Sequence, residues 1–298
     1  MIFSKEELID MKDNELAVLM ALIWTENPTN PKLKVIDMCR TVEIGRKHCL
    51  WTVVDNSILT PYLQRPLDFG IDLVVHSLSK YMNGHSDVIM GAVCTNRDDL
   101  YENLKYIQTH IGHVPSPFDC SQILRSLKTL PCRLRRHQQS SLKVAKYLMN
   151  HPKIEEVIHP GLPTHSHHEL FKSQTSGHSG VISFYLKGGL DETMKFLDNL
   201  TLVTQALSMG GYESLIEIPY VTQFIHDVAE FKYDKSTFCV LFYPYIRLTS
   251  RILCSHSTVP KYLQEILKLN TNFLRMSVGL EDVDDIIKDL DQALEKVP

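Results

Sequence analysis

At 298 residues the chain is long enough to bury a sizeable core and to form two domains. Its 44% hydrophobic and 22% charged residues are the composition of a soluble globular protein, not of a disordered or fibrous one. A net charge of -4 without any basic stretch excludes a nucleic-acid surface, and no apolar run is long enough to span a bilayer.

Apolar runs lie at residues 16–24, 50–54, 71–76 and 88–94, each followed by a loop rich in Pro, Asn, Ser or Gly. Helical patterns fall between them at 35–48 and after them at 97–111. Continuous apolar strands separated by helices predict an α/β fold with a mostly parallel sheet covered on both faces. Ligands of such sheets gather at the C-terminal strand ends, which is where residues 27–30, 55–56 and 77–80 fall.

A helical stretch from about 119 to 149, broken near Pro131, carries the chain from a first domain (1–132) into a second (133–298). The second domain is read as α+β. It has strands at 154–158, 180–186 and 202–206, a turn at 160–163 and a helix at 191–200. An acidic helix at 281–297 closes it, with Leu280, Val283, Ile286, Ile287, Leu290 and Leu294 on one face. The seven cysteines (Cys39, Cys49, Cys94, Cys120, Cys132, Cys239 and Cys254) are scattered, odd in number and form no CxxC pair. They are expected to be free thiols in a reducing compartment. The N-terminus shows no basic segment followed by an apolar core, so a cytoplasmic protein is expected.

The run Ser77-Leu-Ser-Lys80 follows the apolar stretch 71–76. A strand that ends in small hydroxyls and a lysine can hold a phosphorylated aldehyde cofactor. The lysine forms a Schiff base, and Ser77 and Ser79 face the phosphate. Asp55 ends the run 51–54, where a carboxylate can pair with the protonated pyridine nitrogen of pyridoxal phosphate (PLP). The same residues also admit plain readings: a surface lysine, and an Asp-Asn turn after a strand. Histidines cluster at His165, His167 and His168, but no Cys spacing supports zinc, so a solvated loop is preferred to a metal site.

Longer motifs add to this. Residues 24–31, Trp-Thr-Glu-Asn-Pro-Thr-Asn-Pro, resemble the Glu-Thr-Pro-Thr-Asn-Pro signature of the Cys/Met-metabolism PLP enzymes. Val-Asp-Asn at 54–56, Pro-Tyr-Leu-Gln-Arg-Pro at 61–66 and the stretch from Ser77 to Asp87 follow in that family's order. So do the motifs at 114–120, 159–163, 209–215 and 275–282. The resemblance implies a fold-type I PLP-dependent transferase-like architecture, a large PLP-binding domain followed by a smaller C-terminal one. It implies that Lys80 holds PLP and shuttles protons, that Asp55 binds the pyridine nitrogen, and that Ser77 and Ser79 hold the phosphate. Asn30 would lie near the cofactor's phenolic oxygen and the substrate carboxylate. Arg275 would clamp that carboxylate, a geometry suited to guanidinium, and Ser208 would line the substrate pocket. Read without the resemblance, Arg275 is an ion-paired strand arginine and Ser208 belongs to a tight turn.

The implied reaction is that of a transsulfuration carbon–sulfur lyase. Cystathionine would give cysteine, 2-oxobutyrate and ammonia, and cysteine could release hydrogen sulfide. The family is usually tetrameric, so a homo-oligomer acting on a small amino acid is expected. Three departures bear on this. The family's glycine-containing phosphate loop, ring-stacking tyrosine and intersubunit arm precede the position matching Met1, which implies a truncated large domain with an exposed sheet edge and apolar face. Residues from about 221 to 253 form an aromatic-rich insert with no family counterpart. Leu207 stands where the cystathionine-cleaving members carry a glutamate, and Asn27 where the family has threonine. The alternative reading is a catalytically impaired relative that acts only as a subunit-binding or non-functional product.

Overall fold

The structure is a computed structural model that describes residues 22–219 and 270–298. The insert expected at 221–253, and most of the apolar run at 16–24, lie outside the described residues. The first sheet has the order β1-β2-β3-β4: β1 (Leu22–Glu26), β2 (Trp51–Asp55), β3 (Leu73–Ser77) and β4 (Gly91–Cys94). β1, β2 and β3 are parallel, and β4 runs antiparallel to β3. The mostly parallel sheet expected from the sequence is therefore present, with one reversed edge. The apolar run at 88–94 gives a strand only over its last four residues. No helix separates it from β3. The 13 residues between Ser77 and Gly91 turn back on themselves through Gly84 (φ +72°), which gives a reversed strand rather than a parallel crossover.

Helix α1 (Met38–Lys47) makes the crossover from β1 to β2. The Asp37 carboxylate caps it by accepting the Arg40 N–H, and Arg46 and Lys47 occupy its last turn, where cations suit the helix dipole. Met38, Thr41, Val42 and Gly45 recur at helical spacing and form its buried face. A short α2 (Thr60–Leu63) and a 3₁₀ turn (Pro66–Phe69) join β2 to β3. Val53 and Val54 are buried in β2, whereas Trp24 on the edge strand β1 is 58% exposed.

Three helices follow: α3 (Asp98–Ile111), α4 (Pro117–Leu127) and α5 (Leu130–Met149). The break expected near Pro131 is a boundary between helices, with the proline in the first turn of α5, where a missing N–H costs nothing. α3 buries only Leu100, whereas α5 buries a long stripe that includes Leu134, His137, Val144 and Leu148.

The second sheet has the order β5-β6-β9-β8-β7. Its strands are β5 (Ile154–Ile158), β6 (Val181–Leu186), β7 (Thr204–Gln205), β8 (Leu215–Glu217) and β9 (Phe273–Ser277). Period-two alternation gives each strand two faces. Ile182, Phe184, Ile216, Leu274 and Met276 pack with α5, with Phe196 of α7 (Leu190–Asp198) and with Ile286 and Leu290 of α8 (Val283–Glu295). Each such buried side chain contributes about 1.5–3 kcal/mol. Val181, Ser183, Arg275, Ser277 and Glu217 alternate with this set along β6, β8 and β9, which places them on the other face. A second core cluster joins this region to the first sheet's loops, through Leu33, Ile58, Leu59, Tyr81, Leu134, Phe171, Val181 and Met209. α6 (His168–Gln174) lies beside it and contributes Phe171.

Candidate active site

The C-terminal ends of β2 and β3 are tied together by short bonds. An Asp55 carboxylate oxygen accepts the Ser57 N–H at 2.9 Å, and the Ser57 hydroxyl accepts the Ser77 N–H at 2.6 Å. Lys80 sits one turn beyond: its N–H reaches the Ser77 carbonyl at 3.3 Å, and its own carbonyl accepts the Gly84 N–H at 2.8 Å. The Ser79 hydroxyl accepts the Met90 N–H at 2.9 Å, which fastens the two ends of this loop to each other.

Tyr81 pins the loop to the second sheet. Its ring is fully buried, and its hydroxyl accepts the Gly180 N–H at 2.9 Å. Burial pushes that hydroxyl up to about 12, so it stays protonated at neutral pH. Gly210 presses on the same residue. A Cβ there would lie 2.6 Å from the Tyr81 backbone nitrogen, and Gly210 has φ +77°, so only glycine fits. Ser208, two residues earlier, also has a left-handed backbone, with φ +95°. That conformation is costly for a residue with a Cβ and is held here by its surroundings.

Ser208 is where the two halves of the site meet. The Lys80 ammonium donates to the Ser208 hydroxyl at 3.2 Å, and Arg275 Nη2 donates to the Ser208 carbonyl at 3.0 Å. Arg275 is 1% exposed and forms a 2.6 Å ion pair with Glu217, its cross-strand partner on β8. Its Nη1 lies 3.4 Å from the Asn30 side-chain oxygen. The buried Nε of Arg275 has no hydrogen-bond partner among the described residues. An unpartnered buried guanidinium N–H is expensive, so this donor is available to an anionic ligand. Burial, helped by Arg275, holds the Lys80 amine below its usual range, while Glu217 opposes the shift.

Asn30 is fixed from the first sheet. Its N–H donates to a Glu26 carboxyl oxygen at 2.8 Å, and Glu26 is the register partner of Asp55 on the neighbouring strand. Burial pushes the Glu26 carboxyl up to about 7. The Asn30 N–H works against this, Asp55 adds to it, and Arg275 opposes it.

The structure thus brings Asn30, Lys80, Ser208 and Arg275 into one bonded group and places Asp55 and Ser77 on the adjacent strand ends. The Ser79 hydroxyl is engaged with the Met90 backbone. Leu207 is half-buried beside Ser208. The sequence reading omitted Glu26, Tyr81 and Glu217. Glu26 and Glu217 stand inside quoted or neighbouring motifs, but nothing local marks their partners. Two of the three histidines of the 165–168 loop meet backbone carbonyls: His165 Nε2 lies 3.1 Å from that of Leu33 and His168 Nδ1 2.8 Å from that of Pro160.

These residues fit PLP on three counts. A partly buried amine of lowered basicity suits an aldehyde. A carboxylate closes a neighbouring strand, and a buried guanidinium N–H lacks a partner among the described residues.

Comparison with known proteins agrees with this fit. The family described as Cys/Met metabolism PLP-dependent enzyme matches residues 7–238 and 248–295, so within 221–253 only 239–247 lies outside the match, and the family counterpart that the sequence reading denied to that whole stretch is present over most of it. Cystathionine gamma-lyase of Dictyostelium discoideum is 42% identical over 275 residues, which is 92% of this chain and 63% of that protein. The Sus scrofa cystathionine gamma-lyase is 43% identical over 275 residues, 92% of this chain and 60% of its own length. The chain therefore spans less than two thirds of these relatives. Among solved structures, cystathionine gamma synthase from Xanthomonas oryzae pv. oryzae in complex with cystathionine matches with a TM-score of 0.81 and 34% identity, over 99% of this chain and 67% of that one. Cystathionine gamma-lyase from Lactobacillus plantarum complexed with L-serine matches with a TM-score of 0.79 and 29% identity, over 99% and 68%.

Proposed function

The chain belongs to the Cys/Met-metabolism PLP-dependent enzymes, and from that premise we propose that it is a carbon–sulfur lyase of transsulfuration. The substrate is L-cystathionine and the products are L-cysteine, 2-oxobutyrate and ammonia; release of hydrogen sulfide from cysteine is a second reaction of the same site. The observation that carries this reading is the Lys80–Ser208–Arg275 group, in which an amine of lowered basicity stands beside a buried guanidinium with an unused N–H.

PLP supplies, when bound, an electron sink for the pair left behind by the departing α-proton. Asp55 would hold it through the pyridine nitrogen and Ser77 and Ser79 through the phosphate, with Lys80 at the aldehyde carbon until the substrate's own amine takes that place and frees the lysine. The freed Lys80 amine would serve as the base that takes the α-proton and, once protonated, as the acid that delivers a proton to the leaving sulfur. Its lowered basicity suits both tasks. Arg275 and Asn30 orient the substrate's α-carboxylate, and the Ser208 hydroxyl steadies the Lys80 amine. The half-buried Leu207 faces the substrate's distal end with an apolar surface, so a substrate less polar than cystathionine at that end is also accommodated. The protein works as a homo-oligomer in the cytoplasm. The free thiols Cys39, Cys49, Cys94, Cys120 and Cys132 suit a reducing compartment.

A second reading, a relative that keeps the site without turnover, is favoured by one observation: the Ser79 hydroxyl is already engaged with Met90. One experiment separates the two. Purified chain is titrated with PLP, and the visible absorbance of lysine-bound cofactor is followed, with Lys80→Ala as control. A Lys80-dependent band with cystathionine turnover supports the lyase. A band without turnover supports the second reading, and no such band refutes both cofactor-dependent readings.

A further inference from the structure

Glu26 has no part in the roles above, yet it stands among the residues that carry them. It is the last residue of β1, and its register partner Asp55 is the last residue of β2. In-register neighbours on parallel strands point to the same face. Two carboxyl groups therefore close adjacent strands. Asp55 bonds to the turn that follows it, whereas Glu26 reaches forward and accepts the Asn30 N–H at 2.8 Å. Asn30 in turn presents its side-chain oxygen to Arg275 Nη1 at 3.4 Å. An unbroken chain of contacts runs from the end of β1 to the guanidinium on β9. Burial makes a charge on Glu26 costly, and Asp55 adds to that cost. What the side chain offers here is an acceptor oxygen more than a negative charge.

We propose that Glu26 is a positioning residue: by accepting the Asn30 N–H it fixes the Asn30 side chain against Arg275 and so shapes the place that takes an amino acid's α-carboxylate. The inference rests on the reading of Asn30 and Arg275 as the carboxylate site. It differs from a simple loop staple in one respect: the effect of losing Glu26 passes through Asn30.

The test uses the PLP-loaded full chain with L-serine as probe, binding being read as a change in the visible absorbance. Glu26→Ala weakens L-serine binding roughly three- to tenfold, the scale of one neutral hydrogen bond. Glu26→Gln, which keeps an acceptor oxygen, recovers most of that loss. The double variant Glu26→Ala/Asn30→Ala binds no more weakly than Asn30→Ala alone, because the two act in series. Glu26→Met keeps the side-chain volume without a strong acceptor and replaces Glu26→Ala if the latter does not fold. A second readout needs no cofactor: amide hydrogen exchange at Asn30 in the PLP-free chain speeds up in Glu26→Ala or Glu26→Met and not in Glu26→Gln. Unchanged exchange at Asn30 overturns the proposal, as does a double variant in which the two losses multiply. Equal weakening by Glu26→Gln and Glu26→Ala also overturns it, since charge would then be what matters. If Asn30→Ala and Arg275→Lys leave L-serine binding unchanged, the carboxylate site itself is refuted and the positioning role falls with it, while the exchange result still reports on the Glu26–Asn30 bond.

Discussion

Replacing Asp289 by asparagine tests how the C-terminal helix is fastened to the second sheet. Asp289 lies on α8 and is 4% exposed. Its Oδ1 accepts the Thr201 N–H at 2.8 Å, the Thr201 hydroxyl at 2.7 Å and the Gln292 amide at 3.1 Å. Its Oδ2 accepts the Leu202 and Val203 N–H groups, both at 2.9 Å. A carboxylate is acceptor-only and meets all of these donors. An asparagine must turn an NH₂ toward one set, so at least two donors lose their acceptor whichever way it flips. Hydrogen bonds to a charged group contribute about 1.5–3 kcal/mol each, so two lost bonds cost about 3–6 kcal/mol. Turning the NH₂ toward Leu202 and Val203 strands only those two donors and keeps the Oδ1 set, which favours the lower end, about 3 kcal/mol.

The pH dependence gives a second handle. Burial raises the Asp289 carboxyl, but the N–H groups of Val203, Thr201 and Leu202, with the Thr201 hydroxyl, outweigh it and hold it below the usual range. A carboxylate lowered by folding stabilises above its unfolded pKa of about 4, and that stabilisation fades as pH falls toward the lower folded value. Urea unfolding of the parent chain and Asp289→Asn, followed by far-UV circular dichroism, should show the full gap at pH 7 and a narrower one below about pH 4. A difference under about 1 kcal/mol at pH 7, or a gap that widens in acid, would refute the assignment.

Gly210→Ala should destabilise the chain by about 1–3 kcal/mol, since the new Cβ meets Tyr81 in a left-handed backbone; the denaturation midpoint reads it, and an unchanged midpoint counts against the packing described. Tyr81→Phe removes the acceptor of the Gly180 N–H and should cost about 1–3 kcal/mol, with faster amide exchange at Gly180. Glu26 carries the opposite sign to Asp289. Its carboxyl is raised to about 7 when folded, so the folded chain binds the extra proton, and stability falls as pH rises from about 4.5 to 7. Glu26→Gln should flatten that decline in urea midpoints measured at pH 5 and pH 7.5, and an equal decline in both proteins would show the carboxyl ionised without penalty.

Much of the scaffold was legible because its cause is local. The apolar stripe of α8, with Ile286, Leu290 and Leu294 buried, follows from helical spacing alone. So does the capped α1 with its periodic buried face. The runs ending at Asp55 and Ser77 read as strands because apolar sequence there stops abruptly at polar residues. Direction was less legible: β4 turns antiparallel because a short loop carrying Lys80 folds back, and nothing within the run at 88–94 specifies that. The length of β7 escaped the pattern too, since two residues of pairing leave no period to read.

The sequence by itself determined which residue types stand at the strand ends, the lysine after its serines, and the motifs that place the chain in its family. Only the tertiary structure decided what they meet. Arg275 touches Asn30 across 245 positions of chain, pairs with Glu217 across a sheet, and shares Ser208 with Lys80. A side chain's burial and basicity depend on neighbours brought in from distant segments. No local spacing encodes that Glu26 sits beside Asp55, or that one guanidinium N–H is left without a partner among the described residues.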